Sequence, residues 1–223
     1  MAAVEKRLEM AWVLDNDLTD NVTHGICVSN LAFSMGRELG LSHEKCHELA
    51  VAGILHDIGK MKLSRYLHGR NEDTLGIEEM KYIRMHSQLS YDILKKHDYS
   101  EFILESILYH HENYDGTGYP NNLLGEKIPF GARIMRICDV FSALTSDRAY
   151  RQAFDKDTAV ELMIDEVKNF DMRIFLTFLK VVNDENFNIE RCYKPTVTRI
   201  ENIRIDQPGY SLMVSESTGY VPV

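Results

Sequence analysis

Histidine and aspartate stand side by side in the run His56-Asp57-Ile58-Gly59-Lys60. Imidazole suits iron, manganese or zinc, and a carboxylate with two oxygens can bridge a pair of ions. Lys60 follows His56 by four residues, on the same helix face, where its ammonium could lie beside a bound phosphate. Alone, a His-Asp pair is common and says little. Here it has company. Asp20 and His24 are one turn apart and share a face with the apolar stripe Cys27, Val28, Leu31 and Met35. His86 lies between Ile83 and Leu89, His110-His111-Glu112 follows the apolar residues Phe102-Ile103-Leu104 and Ile107-Leu108, and Asp139 is embedded between Ile134 and Phe141. Burying polar groups without partners costs roughly 1–3 kcal/mol each, and more for a charge. A multinuclear metal site relieves all of them together.

A second histidine pattern is a decoy. His43-Glu44-Lys45-Cys46-His47 matches the H-E-x-x-H form of zinc proteases. At about 100° per residue, His47 points away from His56, whose side of the helix carries Cys46, Leu49, Ala52 and Gly53. His43 and His47 therefore face solvent. His68 and His97, among charged residues, read as surface histidines.

The elements that must position these groups are helical. Amphipathic periodicity predicts helices over 4–14, from Thr19 or Asp20 as N-cap to Gly40, and from Ser42 through His56 to Gly59. Further helices are predicted over 77–96, 100–112, 130–147, 157–168 and 172–183. The stretch 113–129, NYDGTGYPNNLLGEKIP, is dense in Gly, Asn and Pro and reads as a structured loop. Gly116 and Gly118 permit turns with positive φ there. After about residue 190 the texture favours extended structure, a small hairpin or a tail packed on the core. The expected architecture is an all-α bundle over 1–189 with a short non-helical extension over 190–223.

Composition excludes several classes. The chain has 223 residues, 44% of them hydrophobic, enough for one buried core. No apolar run reaches the eighteen residues of a membrane span, and the start MAAVEKRLEMAW lacks a secretion-signal core. Cys27, Cys46, Cys138 and Cys192 form no metal or disulfide framework, which suits reduced thiols and a cytoplasmic location. A net charge of -9 without a Lys/Arg block argues against long nucleic acid as partner. It leaves a small phosphate ligand open, because bound cations dominate the field of such a site.

In order and spacing, HDIGK (56–60), His86, HHENYDGTGYP (110–120) and ICDVFSALTSDRAYR (137–151) resemble the HD-GYP family over roughly residues 5–185. The resemblance implies an HD-superfamily helical bundle holding two or three divalent metal ions, iron or manganese. It implies His24, His56, Asp57, His86, His110, His111 and Asp139 as the two-metal core, with Asp57 bridging and Asp20 holding a third ion. It also implies that Lys60, Arg148 and Arg151 face substrate phosphates and that Tyr119 borders the site. Glu112 and Asp115 are expected to orient the histidines. The implied reaction is hydrolysis of cyclic di-GMP to pGpG and on to GMP, with Asp57 and Lys60 as the residues closest to the chemistry. Ser87, Ser90 and Ala149 depart from the family's usual proline, glycine and proline. Three alternatives stand beside this reading: a phosphohydrolase for another cyclic dinucleotide such as cyclic GMP-AMP, a weakly catalytic dinucleotide-binding module, and a di-iron oxygenase. A homodimer or a regulatory protein partner is compatible with the chain.

Overall fold

The computed structural model describes residues 22–67, 84–147 and 152–194. Helix α1 runs over 22–38, followed by α2 (His43–Leu55), α3 (Lys60–Leu67), α4 (His86–Leu94) and α5 (Glu101–Leu108). Then come α6 (Phe130–Leu144), α7 (Lys156–Asp165), α8 (Met172–Val182) and α9 (Ile189–Cys192). Single 3-10 turns lie at Gly125–Lys127 and Val167–Asn169. Among the described residues there is no strand, and no helix is long and apolar enough to cross a membrane.

Short polar side chains start several helices by accepting from otherwise unpaired backbone N–H groups. Ser42 caps α2 through Lys45 N, Ser100 caps α5 through Ile103 N, and Asp155 caps α7 through Asp157 N and Thr158 N. Helix α6 is the hub, packed by α2, α5, α7 and α8. Its Ile134, Met135, Ile137, Cys138 and Phe141 are fully buried. Phe141 meets Phe178 of α8 edge-on, with ring centroids 5.1 Å apart. Burying a side chain of this size stabilises by roughly 1.5–3 kcal/mol. Val28, Leu31, Ala32 and Met35 of α1 enter the same core, which fixes the helix that carries His24.

Several boundaries differ from expectation. The helix predicted over 100–112 stops at Leu108, because Tyr109 leaves the helical region (φ -106°, ψ 11°). His110 and His111 consequently sit in the turn after α5. The helix expected to run to Gly59 ends at Leu55, with His56 as its C-cap and 56–59 as a turn. The segment beginning near 190 is first a turn of helix, not extended. Asn188 accepts from Glu190 N and Arg191 N and so starts α9. Residues 192–194 pack back on the bundle, where Asn30 Nδ2 donates to the carbonyls of Cys192 and Lys194 and Tyr193 Oη meets Thr145 Oγ1 at 2.7 Å. The first predicted helix, the Thr19/Asp20 cap and the tail beyond 194 lie outside the described residues.

Candidate metal centre

His24 from α1, His56 and Asp57 from the turn after α2, His86 from the start of α4, His110 and His111 after α5, and Asp139 from α6 meet at one point. His24 Nε2 is 2.9 Å from Asp139 Oδ1, and His56 Nε2 is 3.3 Å from Asp57 Oδ2 and 3.6 Å from Asp139 Oδ1. His86 Nε2 lies 3.2 Å from Asp57 Oδ1, 3.3 Å from His110 Nε2 and 3.0 Å from His111 Nε2. The ligand atoms form two clusters, His24-His56-Asp57 and His86-His110-His111. Asp57 reaches into both.

The outer ring nitrogens show which atoms face inward. His56 Nδ1 donates to the Gly53 carbonyl at 2.8 Å, and His110 Nδ1 donates to the Ile107 carbonyl at 2.6 Å. A carbonyl can only accept, so Nδ1 carries a proton in both rings. His110, held neutral, turns its Nε2 lone pair to the centre, and His56 would do so once a cation takes the place of its second proton. His24 Nδ1 is held by Ser142 Oγ at 2.9 Å. Lone pairs and carboxylate oxygens therefore converge with few protons between them. Among the described residues, His56 Nε2 and Asp57 Oδ1 are buried without a well-aligned hydrogen bond, with the ion-pair approaches of Asp57, Asp139 and His86 beside them. Buried acceptors left unpaired are costly. A donor set of imidazole nitrogen and carboxylate oxygen fits first-row divalent cations, and the residues present fit such ions.

Electrostatics differ across the centre. Burial opposes the charged form of His56, yet Asp57 and Asp139 outweigh it and raise the group to about 10. Burial likewise opposes ionisation of Asp57, but His56 and Lys60 hold its carboxyl well below the ordinary range. Asp139 is held down in the same way by His24 and His56. Opposite behaviour marks the other cluster. Burial, with the neighbouring imidazoles, pushes His110 well below its usual value. Burial lowers His111 to about 3, although Asp139 pulls the other way.

The surrounding residues hold the centre in place. Ser90 Oγ donates to the His56 carbonyl at 2.6 Å and accepts from Gly59 N at 2.9 Å, tying the 56–59 turn to α4. Gly59 has no room for a side chain, since a Cβ would fall 2.2 Å from the His86 carbonyl oxygen. Lys60 Nζ donates to Asp57 Oδ2 at 2.6 Å. Tyr119 stacks on His111 with centroids 4.7 Å apart, and the Arg84 guanidinium lies 5.6 Å from the Tyr119 ring centroid. Burial, together with Asp139, raises the Tyr119 phenol, so it stays protonated.

Some expectations change. Glu112 does not orient a histidine; its carboxylate accepts from Asn121 N at 2.6 Å and Leu123 N at 3.0 Å, fastening the loop. Asp115 accepts from Thr117 N and Oγ1, a turn within the loop itself. Gly116 has φ 84°, as its type allows, but Gly118 does not have a positive φ. It is needed for close approach instead, because a Cβ there would lie 2.2 Å from Asn113 N. His43, His47 and His97 are exposed, so the H-E-x-x-H match belongs to the surface. Asp20, His68, Arg148 and Arg151 lie outside the described residues. Ser90 stands out in the sequence only as a departure from the family pattern, and Ser142 and Arg136 do not stand out at all. Ser142 and Arg136 stand three residues either side of Asp139, on its helix face, and that spacing was the available signal.

The model of the HD domain family matches residues 5–174. A cyclic di-GMP phosphodiesterase of Pseudomonas aeruginosa is 34% identical over 160 residues, covering 71% of this chain and 38% of its own length. A 3'3'-cGAMP-specific phosphodiesterase of Vibrio cholerae is 34% identical over 169 residues, covering 74% and 39%. The chain thus spans about two fifths of the length of these relatives. Among solved structures, a cyclic GMP-AMP-specific phosphodiesterase of Vibrio cholerae superposes with TM-score 0.58 at 16% identity, covering 77% of this chain and 48% of that one. An HDG"Y"P protein of Bdellovibrio bacteriovorus gives 0.57 at 20%, covering 73% and 52%. Both similarities concern the fold. With the match running from α1 through the His-Asp turn, the histidine pair and Asp139, the chain belongs to the HD domain family.

Proposed function

We propose that the protein is a metal-dependent phosphodiesterase that opens a cyclic dinucleotide, with cyclic di-GMP as substrate and linear pGpG as first product. One observation carries this reading: five imidazoles and two carboxylates from separate elements converge with their acceptor atoms facing one another. His24, His56, Asp57 and Asp139 would hold one ion and His86, His110 and His111 the other, with Asp57 shared. Iron and manganese suit this donor set. When bound, such ions would supply positive charge for the phosphoryl oxygens and lower the pKa of a coordinated water.

The chain's own groups set the remaining conditions. The Gly53 and Ile107 carbonyls and Ser142 Oγ keep the three imidazoles turned inward. Lys60, held on Asp57, places an ammonium where charge accumulates as the phosphorus–oxygen bond breaks. Tyr119 walls the centre and offers a protonated phenol to the substrate. By resemblance, Arg148 and Arg151 face the phosphates and Asp20 holds a third ion.

A second substrate has support, because relatives of similar identity include both cyclic di-GMP and 3'3'-cGAMP phosphodiesterases. The test is turnover of both cyclic dinucleotides by protein loaded with Fe(II) or Mn(II), with products separated by chromatography. The expected result is a linear dinucleotide from at least cyclic di-GMP. Intact substrate in both metal forms removes the proposal.

A further inference from the structure

We propose that Arg136 is a substrate-binding residue that holds an anionic phosphate oxygen of the dinucleotide beside the metal centre; this rests on the phosphodiesterase reading above. Arg136 lies one turn before Asp139 on α6 and is partly buried. Its Nε donates to Asn113 Oδ1 at 3.0 Å, and its Nη1 approaches His111 Nδ1 at 3.5 Å. Those two acceptors are neutral and occupy two of the five N–H groups that a guanidinium offers.

The neighbouring arginine on the same helix shows what is missing. Arg133 is matched by Asp171, with Nη1 to Oδ2 at 2.6 Å. Among the described residues, Arg136 has no carboxylate within 4.0 Å of its guanidinium. Arginine cannot shed its proton to escape partial burial, so the charge persists there. It is also placed where cations are expected, and like charges repel strongly in a partly dry site. A negative group between the guanidinium and the ions resolves both problems. A phosphodiester is such a group, and its oxygens match the planar guanidinium fork. Lys60 differs in this respect, because Asp57 already balances it. Arg136 is balanced when substrate is bound.

The experiment uses the full chain loaded with Mn(II). Arg136→Gln removes the charge while leaving a donor for Asn113. Asn113→Asp leaves the arginine in place but gives it an internal carboxylate. Three quantities are read: metal content, KM and kcat for cyclic di-GMP, and the Kd of pGpG by calorimetry. Losing one charge-assisted contact corresponds to roughly tenfold to a hundredfold. We expect Arg136→Gln to raise Kd and KM by such a factor, with a smaller fall in kcat and metal content as in the wild type. Asn113→Asp should shift Kd in the same direction, and Arg136→Lys should recover part of the loss. Unchanged Kd in both Arg136→Gln and Asn113→Asp overturns the assignment. So does loss of metal in step with loss of binding, which would mark a scaffold role. If the wild type binds pGpG without hydrolysing cyclic dinucleotides, the phosphodiesterase reading fails while the Kd comparison still decides on Arg136. No binding by the wild type overturns both.

Discussion

The two halves of the centre are built from different chemistry. Around His24 and His56 the partners are carboxylates, and the site draws positive charge so strongly that His56 is raised to about 10. Around His86, His110 and His111 imidazoles predominate, with Asp57 touching His86 and Asp139 farther from His111, and burial takes His111 down to about 3. The same residue type thus moves in opposite directions within one cluster. Burial lowers His111 and His24 alike, whereas at His56 Asp57 and Asp139 together outweigh it and reverse the direction. The carboxylate half attracts a cation before any ligand geometry is satisfied. The imidazole half has to rely on aligned lone pairs.

The sharpest way to break this comparison is to remove the residue that both halves share. Asp57→Ala takes away the oxygens beside His56 and His86. Metal assistance is worth several kcal/mol, and about 1.4 kcal/mol is tenfold in rate. Turnover should fall by about 10³-fold, with less than one metal retained per chain by elemental analysis. Near-normal metal content would mean that the halves are independent.

Single-half variants come next. His110→Ala should lose one ion and keep the ion of the carboxylate half, whereas His24→Ala should do the reverse. Metal titration distinguishes the sites, and simultaneous loss of both ions from either variant contradicts the two-cluster description.

Acid and base sharpen the contrast in metal-free protein. His111 is neutral in the fold down to about 3 but titrates near 6.5 when unfolded. The unfolded chain therefore gains the proton first, and stability drops as pH falls from about 6.5 towards 3. His56 has the reverse sign: its folded value is raised, so its contribution is present below about 6.5 and lost as pH rises towards 10. Each group alters the slope by up to about 1.4 kcal/mol per pH unit. In denaturation curves, His111→Gln should flatten the acid limb and His56→Gln the alkaline limb. Equal effects on both limbs would erase the distinction.

The smallest effect belongs to the surface decoy. His43 and His47 touch each other and Phe33 at exposed positions, with ring centroids 4.3 Å apart for the histidine pair. His47→Ala should change stability by no more than about 0.5 kcal/mol and leave metal content alone. A lost metal ion would make the surface assignment wrong.

What could be read from the chain follows the range over which each signal acts. His56-Asp57 and His110-His111 are contiguous, and their apolar flanks announce burial. His24, His86 and Asp139 were legible as members of a set, because buried polar residues in separate helices need a common partner. Helix ends were harder. Periodicity continues past Leu108, and nothing in residue type marks the turn at Tyr109. Ser90 was visible only as a departure, since a serine does not declare that its hydroxyl will bridge His56 and Gly59. Arg136 stood in plain view within an apolar run. Its significance depends on Arg133 having an acid and Arg136 having none within ion-pair distance among the described residues, which only the folded arrangement reveals.

Glu112 follows His111 directly, and its carboxylate grips the backbone at Asn121 and Leu123. The clamp uses main-chain amides, which every non-proline residue supplies. Apart from Gly116, Gly118 and Tyr119, which the turn, the close approach and the ring stack require, residues of this loop can therefore be exchanged without disturbing the clamp. The loop's exposed side chains can change while the clamp beneath them stays as it was.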